Sequence, residues 1–110
     1  PVVFWFWAAW CPRCRAAADD VARVHRDFAG RVTVVGVAGL NSGDEAMREF
    51  VADRRIGGFV NLADDEGLVW RRFAVTTQEY YVLVDAAGMI VHRGSLTAQA
   101  LRERVGALAG

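Results

Sequence analysis

Cys11-Pro12-Arg13-Cys14 constrains this 110-residue chain more than any other segment. It follows an aromatic and β-branched run, Val2-Val3-Phe4-Trp5-Phe6-Trp7, which reads as a buried strand over residues 1–7. Pro12 suits the first turn of a helix, where its missing N–H costs nothing. Ala17, Val21, Val24 and Phe28 then recur at helical spacing, so the helix runs to about residue 29 and Gly30 ends it. The two thiols therefore stand at a strand-to-helix junction. There the free N–H groups and the positive end of the helix stabilise a thiolate at Cys11. Only a thiolate attacks a disulfide. Cys14, one turn further in, is expected to be more buried and to resolve the mixed disulfide that an exposed Cys11 forms. Pro12 stiffens the loop, Arg13 adds a positive charge beside the pair, and Trp10 is expected to shield one flank.

These are the only cysteines in the chain. A disulfide-stapled fold needs more of them at longer spacings, and a ring this small is a weak staple. A zinc site usually draws four ligands, of which one C-x-x-C supplies two. His25 and His92 stand at no ligand spacing, so neither a metal nor another cofactor is expected beyond the Cys11–Cys14 pair. His25, among Arg and Asp, is expected to be solvated.

Beyond the first helix, Arg31–Val37 is a near-continuous apolar strand of the kind covered on both faces of a parallel sheet. Ser42 and Glu45 suggest a capping box for a helix through about Arg55, with Met47, Phe50 and Val51 inward. Residues 59–62 look extended, and Asp64-Asp65-Glu66 leads a short helix to about Phe73. Tyr80–Val84 and Met89–Arg93 form a hairpin around Asp85-Ala86-Ala87-Gly88. Thr97 caps a last helix that turns Leu101, Val105 and Leu108 inward. On the first helix, Asp19/Arg23 and Arg23/Asp27 stand as i,i+4 pairs. A β-α-β unit demands a right-handed crossover between parallel strands, and the hairpin adds antiparallel ones. The order predicts one domain over residues 1–110, a layered α/β sandwich with a mixed sheet flanked by helices.

Thirteen arginines balance thirteen acidic residues, which gives no electrostatic case for nucleic acid or an anionic membrane. No apolar run approaches the ~18–20 residues of a membrane helix. The apolar start lacks a basic region, so it is no intact signal peptide. It is expected to follow a removed targeting or anchoring segment.

Phe6-Trp7-Ala8-Ala9-Trp10-Cys11-Pro12-Arg13-Cys14 resembles the F-W-A-x-W-C-x-x-C segment of thioredoxins. Val34-Val35-Gly36-Val37, the inserted helix, Asp64-Asp65-Glu66-Gly67 and Val82-Leu83-Val84-Asp85-Ala86-Ala87-Gly88 are similar to the extracytoplasmic TlpA/ResA/DsbE branch. The resemblance covers essentially the whole chain. It implies a thioredoxin-like three-layer sandwich and an extracytoplasmic monomer. It also implies disulfide exchange with cysteine-containing protein substrates and a redox partner protein.

Three positions depart from that pattern. The family's cis-proline loop corresponds to Val75-Thr76-Thr77-Gln78-Glu79-Tyr80, and no proline follows Pro12. Glu79 falls at the proline position, or Gln78 if the loop differs by one residue. Both are therefore candidate substrate-binding or tuning residues. A carboxylate there would oppose a Cys11 thiolate unless it points to solvent. Six residues before Cys11, where many thioredoxins carry a buried Asp, stands Trp5, so proton transfer from Cys14 needs water or another carboxylate. Asp19 replaces a kinking proline of the first helix. Tyr80 and Tyr81 read as packing residues of a strand. Two other functions compete with disulfide exchange. One is a metal or iron–sulfur module sharing the pair across a dimer. The other is peroxide reduction, against which the vicinal pair argues.

Overall fold

The computed structural model describes residues 1–110. Five strands form one mixed sheet in the order β3-β2-β1-β4-β5. They are β1 (Val2–Trp7), β2 (Thr33–Ala38), β3 (Val60–Ala63), β4 (Tyr80–Val84) and β5 (Ile90–Gly94), with helices α1 (Pro12–Asp27), α2 (Asp44–Asp53), α3 (Leu68–Arg72) and α4 (Ala98–Ala109). β1 runs parallel to β2 and β2 to β3, whereas β4 is antiparallel to both β1 and β5. β1 is therefore the centre of the sheet, paired on both sides. Its aromatic run follows from that position, since each face of a central strand must be filled.

The alternation of β1 divides the core. Val3, Trp5 and Trp7 face α1, α2 and α4 in the larger cluster, with Val21, Val24, Phe50, Leu101 and Val105. Trp7 stacks on Phe50 with ring centroids 4.3 Å apart. Phe4 and Phe6 face the other way, toward Trp70 and Phe73 of the short α3 and its C-cap. The sandwich is thus the expected three layers, but three helices cover one face and five residues of helix cover the other. Each large side chain buried in this way contributes about 1.5–3 kcal/mol.

Element by element, the sequence reading holds, with ends shifted by a few residues. Thr97 caps α4, its hydroxyl accepting from the Ala100 N–H at 3.1 Å. Three local expectations are corrected. The Ser42/Glu45 capping box does not form, because Gly43 is the N-cap and no side chain caps α2. The Ser42 hydroxyl is drawn instead into the loop after Trp7: it accepts from the Ala9 N–H at 2.9 Å and donates to the Gly39 carbonyl at 2.7 Å. The i,i+4 pairs of α1 give way to Arg23–Asp20 at 3.6 Å and Arg102–Asp27 at 2.7 Å, the latter tying α4 to α1. His25 is half-buried against Phe59, rather than solvated, because α1 turns it toward the end of the sheet.

Candidate active site

β1 delivers the chain to the site and α1 leaves from it. Cys11 is the N-cap of α1 with extended backbone, and its sulfur accepts from the Cys14 N–H at 3.1 Å. A short apolar side chain here takes the place of the usual Ser or Asp cap. The N–H of the third helical residue thus points at the sulfur. Both residues are thiols in this structure. Cys14 is fully buried, as expected. Cys11 is buried as well, only 1% exposed, which corrects the expectation of an exposed nucleophile. The loop Ala8-Ala9 and Cys11 itself belong to the core cluster. Trp10 does not close the site. It is 53% exposed, and its indole N–H donates to the Leu40 carbonyl at 3.0 Å. Pro12 and Arg13 are exposed on the first turn of α1.

The segment before β4 completes the site. Phe6 pairs with Tyr80 and Trp5 with Tyr81 across the β1–β4 ladder. The Glu79 N–H extends this ladder by donating to the Phe6 carbonyl at 2.9 Å. The register therefore places Glu79 beside the residues that lead into Cys11, at the position the family pattern gives to proline. Gln78 lies beside it, half-buried. No peptide bond is cis, and Glu79 adopts a left-handed backbone, φ 55°. That conformation is costly for a residue with a Cβ and closed to proline.

Glu79 does not point to solvent. It is 6% exposed, and its Oε2 lies 3.3 Å from Nη2 of Arg13. Nη2 of Arg13 also donates to the Ser95 hydroxyl at 3.1 Å, and that hydroxyl donates to the Glu79 carbonyl at 3.1 Å. Arg13 is thus engaged by Glu79 and Ser95 at the edge of the cysteine pair. The Tyr81 hydroxyl bonds the same carboxylate. Burial raises the Glu79 carboxyl above the usual carboxylate range, opposed by the bonds from Tyr81 and Arg13. Burial, and then the neighbouring Glu79, push the Tyr81 hydroxyl up. Burial also pushes the Cys14 thiol strongly up, as does its bond with Cys11, while the backbones of Ala8 and Glu79 favour its anion.

Sequence reasoning passed over two members of this cluster. Tyr81 read as a packing residue, yet period-2 alternation along the strand puts residues 79 and 81 on one side, which was the available signal. Ser95 carried no signal, because the β4–β5 hairpin brings it in from the far side. Trp5 is fully buried where the family pattern has an acid. A shared metal or iron–sulfur cluster finds no support, since thiols enclosed to this extent face the core and not a second subunit.

Residues 1–95 match the AhpC/TSA family, and the chain belongs to that redoxin family. It is 38% identical over 88 residues to the soluble secreted antigen MPT53 of Mycobacterium tuberculosis, covering 80% of this chain and 49% of that protein. It is 31% identical, again over 88 residues, to a thiol:disulfide interchange protein DsbE homolog of Paracoccus denitrificans, covering 80% of this chain and 46% of the relative. The chain thus spans about half the length of these curated relatives. Among solved structures, MTB DsbF superposes with a TM-score of 0.91 at 44% identity, covering 97% of this chain and 79% of the other. A secreted Mycobacterium tuberculosis disulfide oxidoreductase superposes with a TM-score of 0.86 at 33% identity, covering 97% and 81%. The fold is thioredoxin-like, as in these solved structures.

Proposed function

We propose that this chain exchanges disulfides with cysteine-containing proteins through Cys11 and Cys14. One observation carries the reading: the Cys11 sulfur caps α1 and accepts the Cys14 N–H at 3.1 Å, with Cys14 enclosed directly beneath it. Only a thiolate attacks a disulfide, and this contact sets a backbone donor at the attacking sulfur. In the direction of substrate reduction, Cys11 attacks a substrate disulfide, and one substrate sulfur leaves as a thiolate. Cys14 then attacks Cys11, which expels the second substrate sulfur and leaves the Cys11–Cys14 disulfide. Two electrons pass from the dithiol to the substrate, and a redox partner protein returns them. Direction in the cell depends on potential, where ~30 mV is worth about 1.4 kcal/mol.

The redox-active cysteine pair is the whole of the proposed chemistry, with no metal or other cofactor. Residues 1–110 act as one thioredoxin-like unit, as a monomer and outside the cytoplasm. The secreted and interchange-type relatives support that location. No helix is long and apolar enough to cross a membrane. Nothing in the charge balance favours nucleic acid. Trp10, Pro12 and Arg13 on one side and Gln78 and Glu79 on the other frame the approach to Cys11.

Trapping tests the roles. Cys14→Ser is expected to accumulate mixed disulfides with substrate proteins, visible as reductant-sensitive adducts, while Cys11→Ser accumulates none. Equal trapping by both variants, or by neither, overturns the assignment.

A further inference from the structure

We propose that Asp65 and Ser42 are positioning residues for Cys11: through the loop of residues 39–43 they fix Ala9 and Trp10, which lead directly into the nucleophile. The inference rests on the disulfide-exchange reading above.

Ala9 and Trp10 are each tied to that loop. The Ser42 hydroxyl accepts from the Ala9 N–H at 2.9 Å, and the Trp10 indole N–H donates to the Leu40 carbonyl at 3.0 Å. The loop is also closed on itself and on β1. The Ser42 hydroxyl donates to the Gly39 carbonyl at 2.7 Å, and the Gly39 N–H donates to the Trp7 carbonyl at 3.0 Å. Asp65 holds the far end with both carboxylate oxygens. Its Oδ1 accepts from the Ser42 N–H at 2.9 Å and its Oδ2 from the Gly43 N–H at 2.7 Å. Bonds from backbone donors to a carboxylate are stronger than neutral ones. The base of this clasp is firm, because the neighbouring Asp64 donates its N–H to the Ala38 carbonyl at 2.7 Å and caps α3 with its carboxylate.

The loop does not take this shape unaided. Leu40 and Asn41 have φ of 56° and 58°, successive left-handed residues that are not glycine. Such backbone persists only where its surroundings over-determine it, and it gathers at sites of function. Here the restraint comes from Asp65 on one side and from Ala9 and Trp10 on the other.

The clasp fixes the place of one sulfur. The Cys11 N–H donates to the Ala8 carbonyl at 3.2 Å, which makes residues 8–11 a turn with Ala9 and Trp10 at its centre. That turn delivers the Cys11 sulfur to the Cys14 N–H, 3.1 Å away. Attack on a disulfide is sensitive to such placement, since a shift of about 1 Å costs on the order of 10²-fold in rate. Asp65 and Ser42 act on Cys11 through this turn and not by contact with the reacting atoms.

The test follows dithiobis(nitrobenzoate), whose first coloured thiolate leaves when the Cys11 sulfur attacks the reagent disulfide. Ser42→Ala is expected to slow this first release on the order of 10-fold per folded molecule. Ser42→Thr, which keeps the hydroxyl, should recover most of the rate. Asp65→Ala should slow it by less, and the Ser42→Ala/Asp65→Ala double variant should be no slower than Ser42→Ala alone, because both act along one path. Asp65→Asn should speed solvent exchange of the Trp10 indole N–H, seen by NMR, and this arm stands if the alanine variants do not fold. A merely structural role would lower the denaturant midpoint and leave the rate per folded molecule unchanged. A wild-type rate in folded Ser42→Ala, fully additive losses in the double variant, or unchanged Trp10 exchange in Asp65→Asn overturns the inference and leaves disulfide exchange standing. Absence of the first release from the wild-type protein overturns the exchange reading itself, and the inference with it.

Discussion

Asp64 and Glu79 are the two acidic residues that this fold buries, each 6% exposed, and they are held in different ways. The Asp64 carboxylate accepts three backbone N–H groups, those of Leu68 at 3.0 Å, Val69 at 2.9 Å and Trp70 at 3.0 Å. It closes the N-terminus of α3, the one helix on its face of the sheet, with donors that cannot rotate away or change charge. Glu79 is held by side chains, those of Arg13 and Tyr81. Such donors can move, and one of them reaches solvent. Equal burial therefore yields a fixed anchor in one place and a carboxylate held by a mobile, solvent-edged partner in the other. What separates them is the kind of donor around the carboxylate.

The largest expected effect falls on the anchor. Asp64→Ala strands buried donors at the start of α3 and should cost about 2–3 kcal/mol. Thermal unfolding should show a fall on the order of 10 °C. The Cys11 and Cys14 chemistry should persist in the protein that remains folded. An unchanged midpoint would show that α3 needs no anchor and would remove one side of the comparison.

Glu79→Pro comes next. The family pattern would make proline a gain, but the backbone found here forbids it: φ is 55°, and the N–H bonds the Phe6 carbonyl. The substitution should cost more than about 1 kcal/mol, read from the denaturant midpoint. A stabilised variant would mean that the loop readily takes the family's conformation.

Glu79→Gln should act in the opposite sense to Asp64→Ala. Because the folded-state carboxyl is raised, the folded protein holds the proton more tightly than the unfolded chain. Stability contributed by this residue is full below the ordinary carboxylate range and is lost as pH climbs through the raised value. The difference between Glu79→Gln and wild type, measured by unfolding at several pH values, should therefore grow in favour of Gln as pH rises. A difference independent of pH would mean that Glu79 is as well served as Asp64.

The smallest effect is that of Arg13→Ala. Its partner is buried but Arg13 itself is mostly exposed, and such pairs contribute less than about 1 kcal/mol. Its removal should instead move the Glu79 inflection upward, because Arg13 is one of the groups that hold it down. Titration of the carboxyl by NMR would show this, and an unmoved inflection would confine Arg13 to a bond with Ser95.

Local and periodic signals decided most of the fold from the amino-acid order alone. The aromatic run of β1, the helical spacing of Val21 and Val24, the Thr97 cap and the 85–88 turn each depend on residues close in sequence, and each appears where expected. So does the placement of Cys11 and Cys14, because Pro12 and the preceding strand define the junction locally. Tertiary structure alone decided the rest. Ser42 abandoned its cap for Ala9, Arg13 turned to Glu79 and Ser95, and Cys11 was enclosed. Each outcome depends on which distant segment supplies a partner, and partners 33, 66 and 82 positions away leave no local trace. Glu79 shows the division most clearly. Its identity and its place in the loop could be read from the chain. Its burial, its left-handed backbone and its partners arose only when β4 paired with β1 beneath the first turn of α1.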